Sequence, residues 1–267
     1  MTEARLSYDE IAGAYDRARP SYPDALVDDI LTFAQMPQAG RVLEIGCGTG
    51  QATRSFAARG LRLVCLEPAP AVAQIARQRL QSFHLVEVIG ETFEGWPVER
   101  DAFDLIFSAT AFHWVRRDVR FLKAAQALRV GGTLAIFNAV PSPQTSLLPD
   151  GVKNVMKRVP LSNNSPQWPF ERQFSECSAF ERVEKCDYMT KRFYDAQGLE
   201  DLLRTLNRFR TLPTQEQAAV LNTARAAAES QGGSLSLDFQ IRLIMAHRER
   251  RRAWWQRVPL WLLHRSE

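Results

Sequence analysis

The stretch Val42-Leu43-Glu44-Ile45-Gly46-Cys47-Gly48-Thr49-Gly50 decides how the rest of the 267-residue chain is read. Its first four residues, apolar except for Glu44, suit a strand buried on both faces, and three alternate glycines follow at once. The next apolar run ends on a second acid, Glu67, in Leu63-Val64-Cys65-Leu66-Glu67-Pro68. Strand, glycine turn and acid in this order build a nucleoside pocket at the end of a parallel sheet. The glycine spacing narrows the cofactor. A dinucleotide fingerprint runs G-x-G-x-x-G, whereas here Gln51 stands where its last glycine or alanine belongs. No Gly-Lys-Ser/Thr follows the turn, so it is not a Walker phosphate loop either.

Outward from this loop, strand and helix signals alternate. Helices are expected over 7–16 and 24–35, separated by Arg19-Pro20-Ser21-Tyr22-Pro23. Strands are expected at 41–45, 61–67, 84–90, 103–108 and 133–138. The helix 51–59 is stopped by Gly60 as a left-handed cap, and Pro70 opens the helix through Leu80. Asp118 is placed to cap a helix running to Leu128, and Gly131-Gly132 turns the chain into the fifth strand. Beyond 140 the regularity loosens. Residues 141–169 are rich in Pro, Ser and Asn, helices are expected near 197–209 and 215–230, and Thr214-x-x-Gln217 spells a capping box. A closing strand is expected at 235–246. Such alternation implies a doubly wound, mostly parallel α/β sheet with helices on both faces.

Composition sets bounds. With 45% hydrophobic residues the chain can bury a full core, and no run reaches the roughly 18 apolar residues of a membrane span. The N-terminus lacks the apolar stretch of a signal peptide. Four scattered cysteines form no C-x-x-C pair, which fits a reduced, cytoplasmic protein. The net charge of +4 sits wholly after His247, where six arginines meet two glutamates. The body is therefore neutral and lacks the broad basic face a nucleic-acid enzyme needs. No His, Asp or Glu cluster has metal-ligand spacing, so no metal is expected.

The 42–50 segment resembles the first motif of class I S-adenosylmethionine-dependent methyltransferases, and later segments agree in order over the first half of the chain. That resemblance implies a seven-stranded Rossmann-like sheet whose last two strands form an antiparallel edge. It also implies S-adenosylmethionine as cofactor. Gly46, Cys47, Gly48 and Gly50 would approach its methionine and adenosine parts, with Glu44 either touching the cofactor or bracing the loop. Glu67, followed by Pro68, would accept both ribose hydroxyls, since a carboxylate is acceptor-only. In Gly90-Glu91-Thr92-Phe93, Glu91 would accept from the adenine amino group, with Thr92 and Phe93 against the ring, although most relatives carry Asp there. Ser108-Ala109-Thr110-Ala111-Phe112-His113-Trp114 resembles small-molecule enzymes of the trans-aconitate methyltransferase group. It would place Ser108 and Ala109 beside the methyl donor and Phe112, His113 and Trp114 in the acceptor pocket. His113 is the candidate general base, its ordinary pKa lying near neutrality. The segment 15–23 resembles the lid of the same group, in which Arg19 would pair with the methionine carboxylate. Tyr8 and Tyr22 would line the sulfonium and acceptor pocket.

The expected organisation is one methyltransferase domain over 1–250, with lid helices at 1–38, a cofactor core at 39–140, substrate-covering insertions at 141–234 and a closing strand at 235–250. A basic, tryptophan-rich tail at 251–267 follows, expected to pack on the body. The function implied is methyl transfer to a small molecule. The alternative is a non-catalytic cofactor-binding or scaffold protein with the same fold.

Overall fold

A computed structural model of the chain describes residues 12–19, 21–142, 148–156 and 169–249. Tyr8, the first part of the leading helix, most of the 141–169 excursion and the 251–267 tail lie outside the described residues. Seven strands form one sheet: β1 Arg41–Ile45, β2 Arg62–Leu66, β3 Val86–Ile89, β4 Phe103–Ala109, β5 Leu128–Pro141, β6 Phe180–Asp195 and β7 Ser234–Arg248. Their order is β3-β2-β1-β4-β5-β7-β6, and only β7 runs against its neighbours β5 and β6. This is the doubly wound sheet expected, with its order reversing between β1 and β4.

The first strands are buried on both faces, which is why they read as continuous apolar runs. On one face Leu43, Ile45, Ile106, Leu134 and Ile136 pack beneath the helices Arg120–Ala127 (α5) and Pro169–Glu176 (α7), with Phe121, Phe174 and Phe180 between them. On the other face Val42, Leu63, Leu105 and Phe137 pack beneath Asp24–Phe33 (α2), Gln51–Ala57 (α3) and Pro70–Leu80 (α4). A third apolar cluster forms a helical cap over the far end of β7. There Leu235, Leu237 and Phe239 meet Ala12–Ala18 (α1), Asp150–Met156 (α6), Ala196–Arg204 (α8) and Thr214–Ser230 (α10).

Five sequence expectations are corrected. Asp118 does not cap α5: the capping position is Val119, with no side-chain bond, and the Asp118 carboxylate accepts from Arg116 instead. Thr214 is the first residue of α10 rather than its cap, and Gln217 turns its amide to the Leu212 carbonyl. The helix expected over 197–209 breaks into α8 and the single turn Asn207–Arg210 (α9). Strand β5 starts at Leu128, ahead of Gly131-Gly132, and shifts register there. The pairing jumps from Phe103–Leu128 to Leu105–Thr133, and a Cβ on Gly132 would lie 2.9–3.1 Å from three backbone oxygens. The stretch 141–234, expected to be substrate-covering insertions, also contains β6, the outer strand of the sheet.

Candidate functional site

The loops after β1 and β4 meet where the strand order reverses, the place at which open α/β sheets hold ligands. Gly46, Gly48 and Gly50 all take positive φ, at 71°, 58° and 87°. For Gly46 the reason is also steric, because a Cβ there would stand 2.5 Å from the Ala111 Cβ of the β4 loop. The amides of Gly46 and Cys47 both donate to the Leu66 carbonyl, at 2.9 and 3.0 Å, so the loop folds back over the end of β2. That brings Glu67 to it. One carboxylate oxygen accepts from the Gly48 amide and the other from the Ala69 amide, each at 3.0 Å. The Thr49 hydroxyl in the same loop is fully buried and has no hydrogen-bond partner among the described residues.

Beside this loop opens a cleft of about 280 Å³. It brings together Gly46, Pro68, Glu91, Thr92 and Phe93, all singled out in the sequence, with Ile45, Leu66, Glu94, Ala111 and Val115, which were not. Ile45 and Leu66 carried a readable signal, since each ends a strand just before a singled-out residue. Ala111, Val115 and Glu94 carried none. Phe93 is buried and stacked near Trp96 at 6.3 Å, so it contributes a wall, while Glu91 stands exposed at the rim.

Other singled-out residues lie around the cleft rather than in its lining. Glu44 is fully buried on the opposite face of the sheet, where the Thr53 hydroxyl of α3 donates to it at 2.6 Å and its Oε1 has no partner. Burial raises its pKa to about 8, against the lowering effect of the Thr53 and Cys65 bonds, and the Glu67 charge pushes the same way as burial. The strand before the loop is thereby tied to the helix after it. Cys47 is buried, and its hydrogen bond with Cys65, together with burial, pushes its thiol well up, which favours a packed thiol over a reactive one. The Ser108 hydroxyl donates to the Ile45 carbonyl at 2.8 Å, locking β4 to β1, and Ala109 follows it, half-buried.

After β4, Thr110 takes φ 59° and its hydroxyl lies 3.2 Å from the Tyr22 hydroxyl, while the Tyr22 ring stands edge-on to Phe137 at 4.9 Å. Tyr22 is thus drawn to the β4 end of the site. Arg19 lies farther out in the cap, donating to the Thr205 carbonyl at 3.2 Å. A single 3₁₀ turn, Phe112–Trp114, comes next. Phe112 points into the core against Phe121 and Phe170, whereas His113 and Trp114 stay half-buried with their rings 5.0 Å apart. The site thus offers a partly apolar cleft wall, a carboxylate at a glycine loop and an aromatic-imidazole pair at the neighbouring strand end.

Residues 43–136 match the family described as "Methyltransferase domain". An uncharacterized methyltransferase of Mycobacterium tuberculosis is 37% identical over 131 residues, which cover 49% of this chain and 51% of the relative. The chain spans about half the length of these curated relatives. Among solved structures, the YcgJ protein of Bacillus subtilis superposes with a TM-score of 0.56 at 17% identity, over 84% of this chain and 98% of that one. A Haemonchus contortus phosphoethanolamine N-methyltransferase, solved with phosphomonomethylethanolamine and S-adenosylhomocysteine, has a TM-score of 0.56 at 16% identity, over 90% of this chain and 57% of that one. The sheet shares the fold of these two structures.

Proposed function

We propose, from a core whose residues 43–136 match a methyltransferase domain, that this protein transfers a methyl group from S-adenosylmethionine to a small-molecule acceptor. The observation that carries this reading is Glu67 bonded to the glycine loop beside a cleft at the sheet's switch point. The residues fit that cofactor. A carboxylate has about four acceptor sites, so Glu67 can meet both ribose hydroxyls next to the two amides it already accepts. The side-chain-free Gly46, with Gly48 and Gly50, leaves backbone close to the ligand, and the unpartnered Thr49 hydroxyl offers a further contact. Cys47 and Pro68 complete the loop, Glu91, Thr92 and Phe93 take the adenine side, Ser108 and Ala109 face the donor, and Glu44 braces the loop from behind. Arg19 meets the methionine carboxylate only if the cap shifts toward the loop.

When bound, the cofactor supplies an electrophilic methyl group. The protein's part is alignment and exclusion of water, which an in-line displacement needs most. Tyr22, Phe112, His113 and Trp114 shape the acceptor side, and His113 takes a proton from the acceptor where one must leave. The likeness of 108–114 to the trans-aconitate methyltransferase group supports a small acceptor over a macromolecule. The neutral body up to His247 supports the same choice. We assign the core to 39–140, completed by β6 and β7, the lid to 1–38 and the acceptor cover to the parts of 141–234 outside β6. Four free cysteines suit a reducing compartment. Among the described residues no helix is long and apolar enough to cross a membrane.

Calorimetric titration with S-adenosylhomocysteine tests the reading. The wild type is expected to bind, and Glu67→Ala to lose at least about tenfold in affinity, or 1.4 kcal/mol. Absence of binding by the wild type, or equal binding by Glu67→Ala, sinks it. Binding without transfer of labelled methyl into a metabolite extract favours the non-catalytic alternative.

A further inference from the structure

Arg120 is the least expected charge in the core. It is only 6% exposed, and among the described residues no carboxylate pairs with it. Its guanidinium lies 5.7, 5.8 and 5.0 Å from the ring centres of Phe112, Phe121 and Phe170, and its Nε has no hydrogen-bond partner. The two arms of the fork reach in different directions. One donates to the Phe112 carbonyl at 3.4 Å, and the other donates to the Gln173 amide oxygen on α7. Burial, with Arg117 nearby, lowers its pKa to about 10, which still leaves it charged at neutral pH.

Stability alone does not call for such a residue. A buried charge without an opposite partner is costly, and a packed apolar side chain of similar volume commonly does as well or better. What arginine adds is a rigid planar fork with donors at fixed angles. One of those donors meets the 3₁₀ turn Phe112–Trp114 at its first carbonyl, and the other meets α7. The Val115 amide donates to the Phe112 carbonyl at 3.3 Å, about as long as the arginine's own 3.4 Å contact, so the two donors share the one acceptor that closes the turn.

We infer that Arg120 is a positioning residue for methyl transfer, holding the Phe112–Trp114 turn, and with it His113 and Trp114, in fixed relation to α7. The inference rests on the methyl-transfer reading of the site. Among the described residues no side-chain hydrogen bond or ring contact joins Arg120 directly to the cleft lining or the glycine loop, and it reaches them only through the turn, so the larger effect is expected on the acceptor side.

The test uses the full chain with Arg120→Met. Thermal unfolding establishes that the variant folds. The S-adenosylhomocysteine dissociation constant is expected to change by less than about threefold, while labelled-methyl transfer into a metabolite extract falls at least about tenfold. Carbon-13 histidine labelling reads the turn directly. The His113 resonance, identified by its loss in His113→Gln, is expected to broaden or split. Arg120→Lys, which keeps the charge without the fork, is expected to stay impaired. Should Arg120→Met fail to fold, Gln173→Leu cuts only the far arm and faces the same measurements. A folded variant with an unmoved His113 resonance overturns the inference. A wild type that neither binds S-adenosylhomocysteine nor transfers methyl overturns the proposed function instead, and the His113 signal still reports on Arg120.

Discussion

Glu44 shows how one residue's meaning depends on which face of a strand it occupies. In the sequence it stands two positions before the first glycine, as near the cofactor loop as any acid. In the fold it points to the opposite face, under α3, and carries a proton near neutrality because burial raises its pKa to about 8. The linkage has a definite sign. In the unfolded chain the group ionises near 4.5, and in the folded protein near 8. Its stabilisation is complete below the lower value and disappears as pH rises through the upper one. The free energy of unfolding should therefore fall with pH across this window, by up to about 1.4 kcal/mol per unit. Urea denaturation at a series of pH values measures it, and Glu44→Gln should flatten the profile. Parallel profiles for the two proteins would show that Glu44 is not the group responsible. Glu67 was the more legible acid. A strand terminus followed by proline leaves a side chain at the sheet's ligand end, and Glu67 does accept from the glycine loop there.

Among the elements, the parallel strands were the easiest to read and β6 the hardest. Burial on both faces writes β1, β2 and β4 as apolar runs. β6 is an outer strand whose residues are mostly exposed, including Met189 at 59% and Phe193 at 71%, and its burial alternates only between half-buried and exposed, so it forms no apolar run. Helix ends were misread where two chemically sound caps competed. Asp118 found Arg116, an exposed neighbour two residues away, before it found an amide. Asp195 is the cap that forms: its carboxylate accepts from the Gly198 amide at 2.7 Å and starts α8 directly from the end of β6. Replacing it, as Asp195→Ala, should cost about 1 kcal/mol in equilibrium unfolding. A loss below about 0.3 kcal/mol would mean the sheet, not the cap, sets where α8 begins.

At the scale of the whole molecule, the leading segment is held by residues that follow it by more than 170 positions. Arg192 donates to the carbonyls of Arg17 and Arg19, Tyr194 donates to the Ala18 carbonyl at 2.7 Å, and Arg17 pairs with the buried Asp201 at 2.8 Å. The outer strand and α8 therefore serve as the dock for α1, from which the chain runs to Tyr22 and its contact with Thr110. Combining Arg192→Ala with Tyr194→Phe should speed amide exchange over residues 12–19 at least about tenfold while β1 and β4 keep their protection. Uniform loss of protection would show that the cap and sheet unfold as one unit.

Local chemistry alone determined the strand-loop-acid core, because glycine's freedom at positive φ, apolar runs and a terminal carboxylate act over a few residues. The same holds for the alternation that winds the sheet on both faces. Tertiary structure decided the rest. It sent Glu44 behind the loop, placed Ala111 against Gly46, set Arg120 among three aromatic rings and made an exposed polar stretch into the seventh strand. Each of those outcomes depends on partners distant in sequence, and a side chain's surroundings at such range exist only once the sheet has closed around it.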